Sequence, residues 1–521
     1  MIRTQLFDLP NELFLFIFQY INSSKLIELL SDISSVRLQA LIQSFILNVD
    51  ISQESDQWIQ TYLPKLFINQ HLTALRLQDK HISLISNDFL SSNLETMHVI
   101  SSDWTTDLLK QGLHYIRGYL KELSIIFTYP HGKGDLASDL FRCDSQLNCL
   151  NITGRFIYFD HNEIRMCTQL TYLSIELEGM YRVFLLIENL PNLEELKVKF
   201  RTEESLVQPK FNLKDGILQN KLHRVTFTGS TKYFDHIEQF FTGNGQNIEC
   251  LTINIDLIYY IIDGKRFEQN LLTKMPRLSS LNLIIHSILT YCDPIEIETF
   301  QSSSWQTFNP IIYWNDIHAH EHTIFTLPYR CDRFKHFSND FLSSWVSNRP
   351  VSLCFERVRL LSLMTTTSLT LETVQFLEKI FPNLKTLELT DPIHLPGIGD
   401  DDESNRNTLL MNKELLSNRT LQLLSIEKFC FLSRLQYDDS EVFHRFLHLL
   451  PNLMYLQMYI GRSLFRDLSS QKDKDSFVRN ALMRIKCLQM VRFYDEKNVL
   501  SNEEIHCLFP NAQILFDYDE L

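Results

Sequence analysis

From residue 72 onward one short phrase recurs: an apolar residue, two others, an apolar residue, one other, an apolar residue. It reads Leu72/Leu75/Leu77, Leu94/Met97/Val99, Leu120/Leu123/Ile125, Leu147/Leu150/Ile152, Leu170/Leu173/Ile175 and Leu193/Leu196/Val198. Looser copies follow at Leu222/Val225/Phe227, Ile248/Leu251/Ile253 and Leu278/Leu281/Leu283. It resumes at Val358/Leu361/Leu363, Leu384/Leu387/Leu389, Leu421/Leu424/Ile426, Leu453/Leu456/Met458 and Leu488/Val491/Phe493, with a worn copy at Ile514 and Phe516. The first nine copies start 22 to 30 residues apart. That length holds one short strand and a return segment, and such a unit buries its apolar face only against a neighbour, so the copies must stack. The last two apolar positions alternate along one face of a strand, and the first packs the turn into it. Pro191, Pro276, Pro382 and Pro451 each stand two residues before a copy. Proline there ends the preceding helix and sends the chain into an extended strand.

The phrase and its period resemble leucine-rich repeats. The resemblance implies an α/β chain: an irregular leucine-rich-repeat solenoid, or horseshoe, with short parallel strands on the concave face, helices outside and right-handed crossovers. The Asn or Cys usual eight residues after the first Leu is replaced by Lys80, Ser102, Thr128, Arg155, Glu178 and Arg201, so the repeats are expected to be irregular. Helices between strands are expected over Leu371–Phe381, capped by Thr370, and over Glu441–Leu450. Residues 284–357 interrupt the period, as eroded repeats or an insertion, and 391–407, with Asp400-Asp401-Asp402-Glu403, read as a solvated acidic loop.

Composition narrows the function. With 44% hydrophobic and 12% aromatic residues the chain can build a large core. A net charge of −14 without a long basic run disfavours nucleic acid and anionic membrane surfaces as partners. Neither a signal peptide nor a transmembrane run is expected. The ten cysteines are scattered with no Cys-x-x-Cys pair, which suits a reducing cytoplasmic or nuclear setting with free, mostly buried thiols.

The N-terminal stretch Leu6-Phe7-Asp8-Leu9-Pro10-Asn11-Glu12-Leu13-Phe14-Leu15-Phe16-Ile17-Phe18-Gln19-Tyr20-Ile21 predicts a helix opened by Pro10, with Glu12 in its first turn. Leu13, Ile17 and Tyr20 make one apolar stripe, and Phe14, Phe18 and Ile21 a second beside it. A helix apolar on both stripes has more to hide than one core face covers, so the surplus belongs to a partner. Ser24 and Ser35 are the expected caps of second and third helices.

Leu9-Pro10-Asn11-Glu12-Leu13 followed by Ile17-Phe18 and Tyr20 resembles the opening of an F-box, over roughly residues 5–46. The Trp-Arg ending common in that family is absent here, where the chain reads Val36-Arg37-Leu38-Gln39-Ala40-Leu41. The resemblance implies an all-α module that docks on a Skp-type adaptor and, through it, a cullin. The repeats would hold a protein substrate, as in the substrate-recruiting subunits of SCF ubiquitin ligases. The expected adaptor contacts are Leu9, Pro10, Leu13, Ile17 and Phe18. The chain then divides into a helical module (1–48), a first solenoid half (49–283), the irregular segment (284–357) and a second half (358–521).

No catalytic, cofactor or metal site is expected. His318, His320 and His322 with Cys331 and His336 form the one metal-like cluster, but their spacing matches no zinc ligand pattern. His131-Gly132-Lys133-Gly134 lacks the spacing and hydroxyl of a phosphate loop. The alternative from another class is a leucine-rich-repeat scaffold outside any ligase, in which the face of the first helix would be buried on the first repeat.

Overall fold

A computed structural model describes residues 10–32, 35–45, 48–68, 72–84, 94–102, 109, 120–128, 140–141, 145–157, 159, 164–200, 221–232, 234–258, 263–288, 297–300, 302, 305, 308, 311–316, 321–338, 354–364, 371–390, 423, 425–431, 447, 449–458, 476–492, 506–507 and 509–518. The chain is mixed α/β and divides into two compact units, Met1–Thr290 with Ile295–Phe308, and Tyr291–Pro294 with Asn309–Leu521.

The first unit is solenoid-like. Its ten strands are β1 (Asn48–Asp50), β2 (Ala74–Gln78), β3 (Thr96–Ser101), β4 (Glu122–Phe127), β5 (Cys149–Phe156), β6 (Tyr172–Leu177), β7 (Glu195–Phe200), β8 (Arg224–Thr231), β9 (Cys250–Ile258) and β10 (Ser280–Ile288). They pair in chain order and all neighbours are parallel. The register stacks the middle apolar residue of each phrase into one row: Leu75, Met97, Leu123, Leu150, Leu173, Leu196, Val225, Leu251 and Leu281. Every member is buried. Each such side chain contributes about 1.5–3 kcal/mol when fully covered, and the cover comes from adjacent repeats, so no repeat is stable alone.

Before the repeats come four helices, α1 (Asn11–Phe18), α2 (Ser23–Asp32), α3 (Val36–Phe45) and α4 (Asp56–Ile68). Pro10 stands just outside α1, whose first turn closes on the Pro10 carbonyl. The cap of α2 is Asn22, whose Oδ1 accepts from the Ser24 N–H at 3.1 Å, and Ser24, the expected cap, is buried in the first turn. Ser35 does receive the Leu38 N–H at the start of α3. Phe14, Phe18, Leu26, Ile27, Leu38 and Ile42 form the core of the first three helices, and Trp58 of α4 donates from Nε1 to Glu28 of α2 at 2.7 Å.

Within the solenoid the chain returns between strands through α5 (Met180–Asn189), α6 (Phe234–Asn244) and α7 (Gly264–Asn270). Asn192, Asn383 and Asn511, each directly after a proline and before a copy of the phrase, donate from Nδ2 to the carbonyls of Thr168, Glu356 and Met483, at 2.7, 2.9 and 2.8 Å. Each bond ties a turn to the preceding repeat.

The turn after β2 carries a buried histidine. His81 Nε2 meets Asp56 Oδ1 of α4 at 3.1 Å, with Lys80 on the same carboxylate. Burial holds the imidazole below its ordinary pKa against the pull of Asp56. A histidine depressed in the folded state binds its proton less readily there than in the unfolded chain. Stability is therefore full above the unfolded pKa of about 6.5 and falls as pH drops below it. Thermal unfolding between pH 7.5 and 5.5 checks this: the loss on acidification is expected to shrink in His81→Asn.

The second unit has an antiparallel hairpin, β11 (Ile311–Asp316) with β12 (Glu321–Thr326). Its seven parallel strands pair in chain order: β13 (Arg333–Ser338), β14 (Leu360–Met364), β15 (Thr386–Thr390), β16 (Lys428–Phe431), β17 (Tyr455–Met458), β18 (Cys487–Arg492) and β19 (Gln513–Tyr518). The expected helix after β14 is α8 (Leu371–Ile380), with Val374 and Leu377 buried, and α9 (Ser476–Arg484) precedes β18. Thr370 and most of 441–450 lie outside the described residues. Phe325, Tyr329, Phe334, Phe355 and Phe381 pack as one aromatic cluster at the start of this sheet, with Tyr329 stacked on Phe334 at 4.6 Å and Phe355 on Phe381 at 4.9 Å.

Two copies of the phrase are out of phase with the expectation. Phe429 and Phe431 take the strand positions opposite Leu387 and Leu389, so that copy begins at Ile426 and not at Leu421. Leu488 and Met490 stand opposite Leu456 and Met458, so the next begins at Ile485. Phenylalanine and methionine fill the slots where leucine is expected.

Candidate docking helix and open sheet face

Helix α1 separates its two apolar stripes. Phe14 and Phe18 turn inward, 3% and 5% exposed, with their rings 6.0 Å apart. Leu13, Phe16, Ile17 and Tyr20 turn outward, 48%, 55%, 37% and 76% exposed. Spacings of three and four residues place Leu13, Phe16 and Ile17 on one face of α1, and Tyr20, in the turn just after the helix, continues it. Phe16 and Tyr20 meet edge to face at 5.3 Å, which stiffens that surface. Asn11 at its head is held by Arg37 of α3, whose guanidinium donates to Oδ1 at 2.7 and 3.0 Å. On α2, Lys25, with Trp58, keeps the Glu28 carboxyl below the usual carboxylate range.

Of the expected contacts, Pro10, Leu13 and Ile17 are exposed on or beside this face, and Leu9 lies outside the described residues. Phe18 belongs to the interior, on the stripe it shares with Phe14, and α3 is the helix that packs against α1. Phe16 is missing from the expected set, and Tyr20 stands on the right stripe there without a role. Four exposed apolar side chains on one short helix and the turn that follows it make a patch of the kind that marks a protein contact.

The strand face opposite the buried row is the second candidate surface. One register row runs Cys149, Tyr172, Glu195, Arg224, Cys250, and the next Asn151, Ser174, Lys197, Thr226, Thr252. Lys197 Nζ lies 2.9 Å from Glu195, 3.1 Å from the Tyr172 hydroxyl and 4.9 Å from the centre of that ring. Arg224 reaches the other Glu195 oxygen at 3.2 Å. The charges are thus compensated within the face, and beside them lies a band of small hydroxyl and amide groups able to donate and accept hydrogen bonds. Burial pushes the Cys149 thiol up, with Glu122 and Glu195 adding to it, and pushes Cys430 in the second unit up to about 11. Both are protonated thiols at neutral pH and poor nucleophiles.

His318 and His320 lie outside the described residues, and no group of three metal-ligating side chains converges among the described ones. Among the described residues no helix is long and apolar enough to cross a membrane.

No protein-family model and no curated protein matches the chain. Among solved structures, a chain from the crystal structure of the Rad7 and Elc1 complex in yeast aligns over 73% of this chain and 87% of its own length, at 12% identity and a TM-score of 0.29.

Proposed function

We propose that this chain is the substrate-recognition subunit of an SCF-type E3 ubiquitin ligase. Residues 1–48 act as an F-box-like module on a Skp-type adaptor, which carries the cullin. The strands form the concave face of an irregular leucine-rich-repeat horseshoe that holds a protein substrate. The chain carries no catalytic residue of its own, because its part in ubiquitin transfer is to position the substrate. Such a subunit works in the cytoplasm or nucleus.

The observation that carries this reading is the outward stripe Leu13, Phe16, Ile17 and Tyr20. In a scaffold that used α1 only as an N-terminal cap, that stripe would be buried on the first repeat. The strand face suits recognition by hydrogen bonding, since its charges are already paired and its hydroxyl and amide groups are small. The test is co-precipitation of the full chain with a Skp-type adaptor. Recovery of the adaptor is expected, with loss of recovery in the Pro10→Ala/Ile17→Ala double variant. No recovery under conditions where a known F-box protein retains the adaptor would leave the scaffold reading standing in its place.

A further inference from the structure

A cleft of about 370 Å³ opens between the turns that lead into β9 and β10, lined by Thr242, Gln246, Asn247, Thr273, Lys274, Pro276 and Arg277. In a chain with 63 acidic residues, no carboxylate lines it among the described residues. Its two cations, Lys274 and Arg277, are exposed, and neither has an ion-pair partner among the described residues.

Arg277 is out of pattern. It follows Pro276 at the position where Asn192, Asn383 and Asn511 tie their turns to the preceding repeat. This copy gives up that bond and puts a guanidinium at the cleft. The two turns come together tightly, since a Cβ on Gly245 would lie 2.7 Å from the Lys274 carbonyl oxygen. The helix ends nearby would oppose an anion, but Thr242 and Thr273 donate their hydroxyls to the Glu238 and Gln269 carbonyls at 3.0 and 2.6 Å. The Thr273 bond satisfies part of the negative pole of α7, and two full positive charges set the local field.

We propose that this cleft binds a phosphate monoester. Arginine offers a planar fork to two phosphate oxygens, lysine a point charge, and Gln246 an amide donor. A bare phosphate would leave most of the volume empty, so the ligand includes the group that bears it, either a free phosphorylated small molecule or a phosphorylated serine of a protein. The site is separate from α1 and does not depend on the ligase reading.

Isothermal titration calorimetry of the full chain at low ionic strength tests this with O-phosphoserine, a short phosphoserine peptide, inorganic phosphate and unmodified serine. O-phosphoserine is expected to bind and serine not. Affinity is expected to fall as salt is raised, as screening requires for an exposed site. Lys274→Glu/Arg277→Glu is expected to weaken binding at least tenfold, while Lys274→Arg/Arg277→Lys and the distant Lys221→Glu stay within about threefold. An unchanged thermal midpoint in each variant excludes misfolding. Tighter binding of the peptide assigns the phosphate to a protein, and equal or tighter binding of free phosphoserine assigns it to a small molecule. Binding that survives the charge reversal, serine that binds as well as phosphoserine, or no binding by any probe overturns the proposal.

Discussion

Replacing Gly229 with alanine is expected to lower stability by about 3 kcal/mol or more. Gly229 lies in β8 at φ +96°, where a side chain is strained whatever space surrounds it. Space is also lacking. It pairs with Phe200 of β7, and an added Cβ would overlap the Phe200 carbonyl oxygen. Neither side can yield, because both are backbone atoms within the ladder. Relief would require β8 to leave its register, which carries Ser230 opposite Asp256 and Thr231 opposite Leu257 of β9. Gly154 repeats the arrangement three strands earlier, at φ +85° against the Phe127 carbonyl, and its N–H is held by Glu176 at 3.0 Å.

The control is Gly243→Ala. That glycine is in α6, and a methyl group added there would meet nothing within 4 Å, so the change is expected to be neutral or to stabilise by up to about 1 kcal/mol. Differential scanning calorimetry compares the two. For a unit of about 300 residues, whose unfolding entropy is about 2.1 cal/mol/K per residue, the Gly229 variant should melt roughly 5 °C lower. A Gly229→Ala protein that melts with the parent would show that β8 reaches its register by another backbone path.

Most of the first unit is legible in the sequence because each repeat states its own strand. Three apolar residues per repeat, with the same spacing and at the same place in each unit, define β2 to β10 without reference to the rest of the chain. Legibility fails where the signal is carried by something other than leucine. At β16 the strand residues are Phe429 and Phe431, and Leu421, Leu423 and Leu424 just upstream offer a richer but misplaced phrase. The hairpin β11–β12 belongs to no repeat, and its residues carry no phrase to find. The asparagines after proline are visible in the sequence as part of a proline marker. Their role is not, because a side-chain bond to the carbonyl of the previous repeat exists only once the repeats are stacked.

The docking helix shows the same limit. Its two stripes can be read from spacing alone, yet spacing does not say which stripe faces in. Phe18 reads as a contact because it follows Ile17 in the F-box-like pattern. In the fold it shares an inward face with Phe14, a choice made by the packing of α3 on α1. Nothing in residues 11–18 by themselves decides it.

That division of α1 predicts two opposite kinds of variant. Leu13→Ala with Ile17→Ala removes apolar area that only a partner would cover. If each side chain contributes about 1–2 kcal/mol at the contact, the pair should weaken adaptor binding by about 30- to 1000-fold. The thermal midpoint should stay where it is, since both residues are exposed in the free chain. Phe14→Ala does the reverse at its source. It empties a site 3% exposed in the module's core, at a cost of about 3–5 kcal/mol, so the module unfolds and binding is lost with it. Surface-based affinity measurements paired with thermal unfolding separate the two. Weak binding by a fully folded Leu13→Ala/Ile17→Ala protein marks the outward stripe as the docking surface. Parental affinity in that variant would move the adaptor contact off the outward stripe of α1.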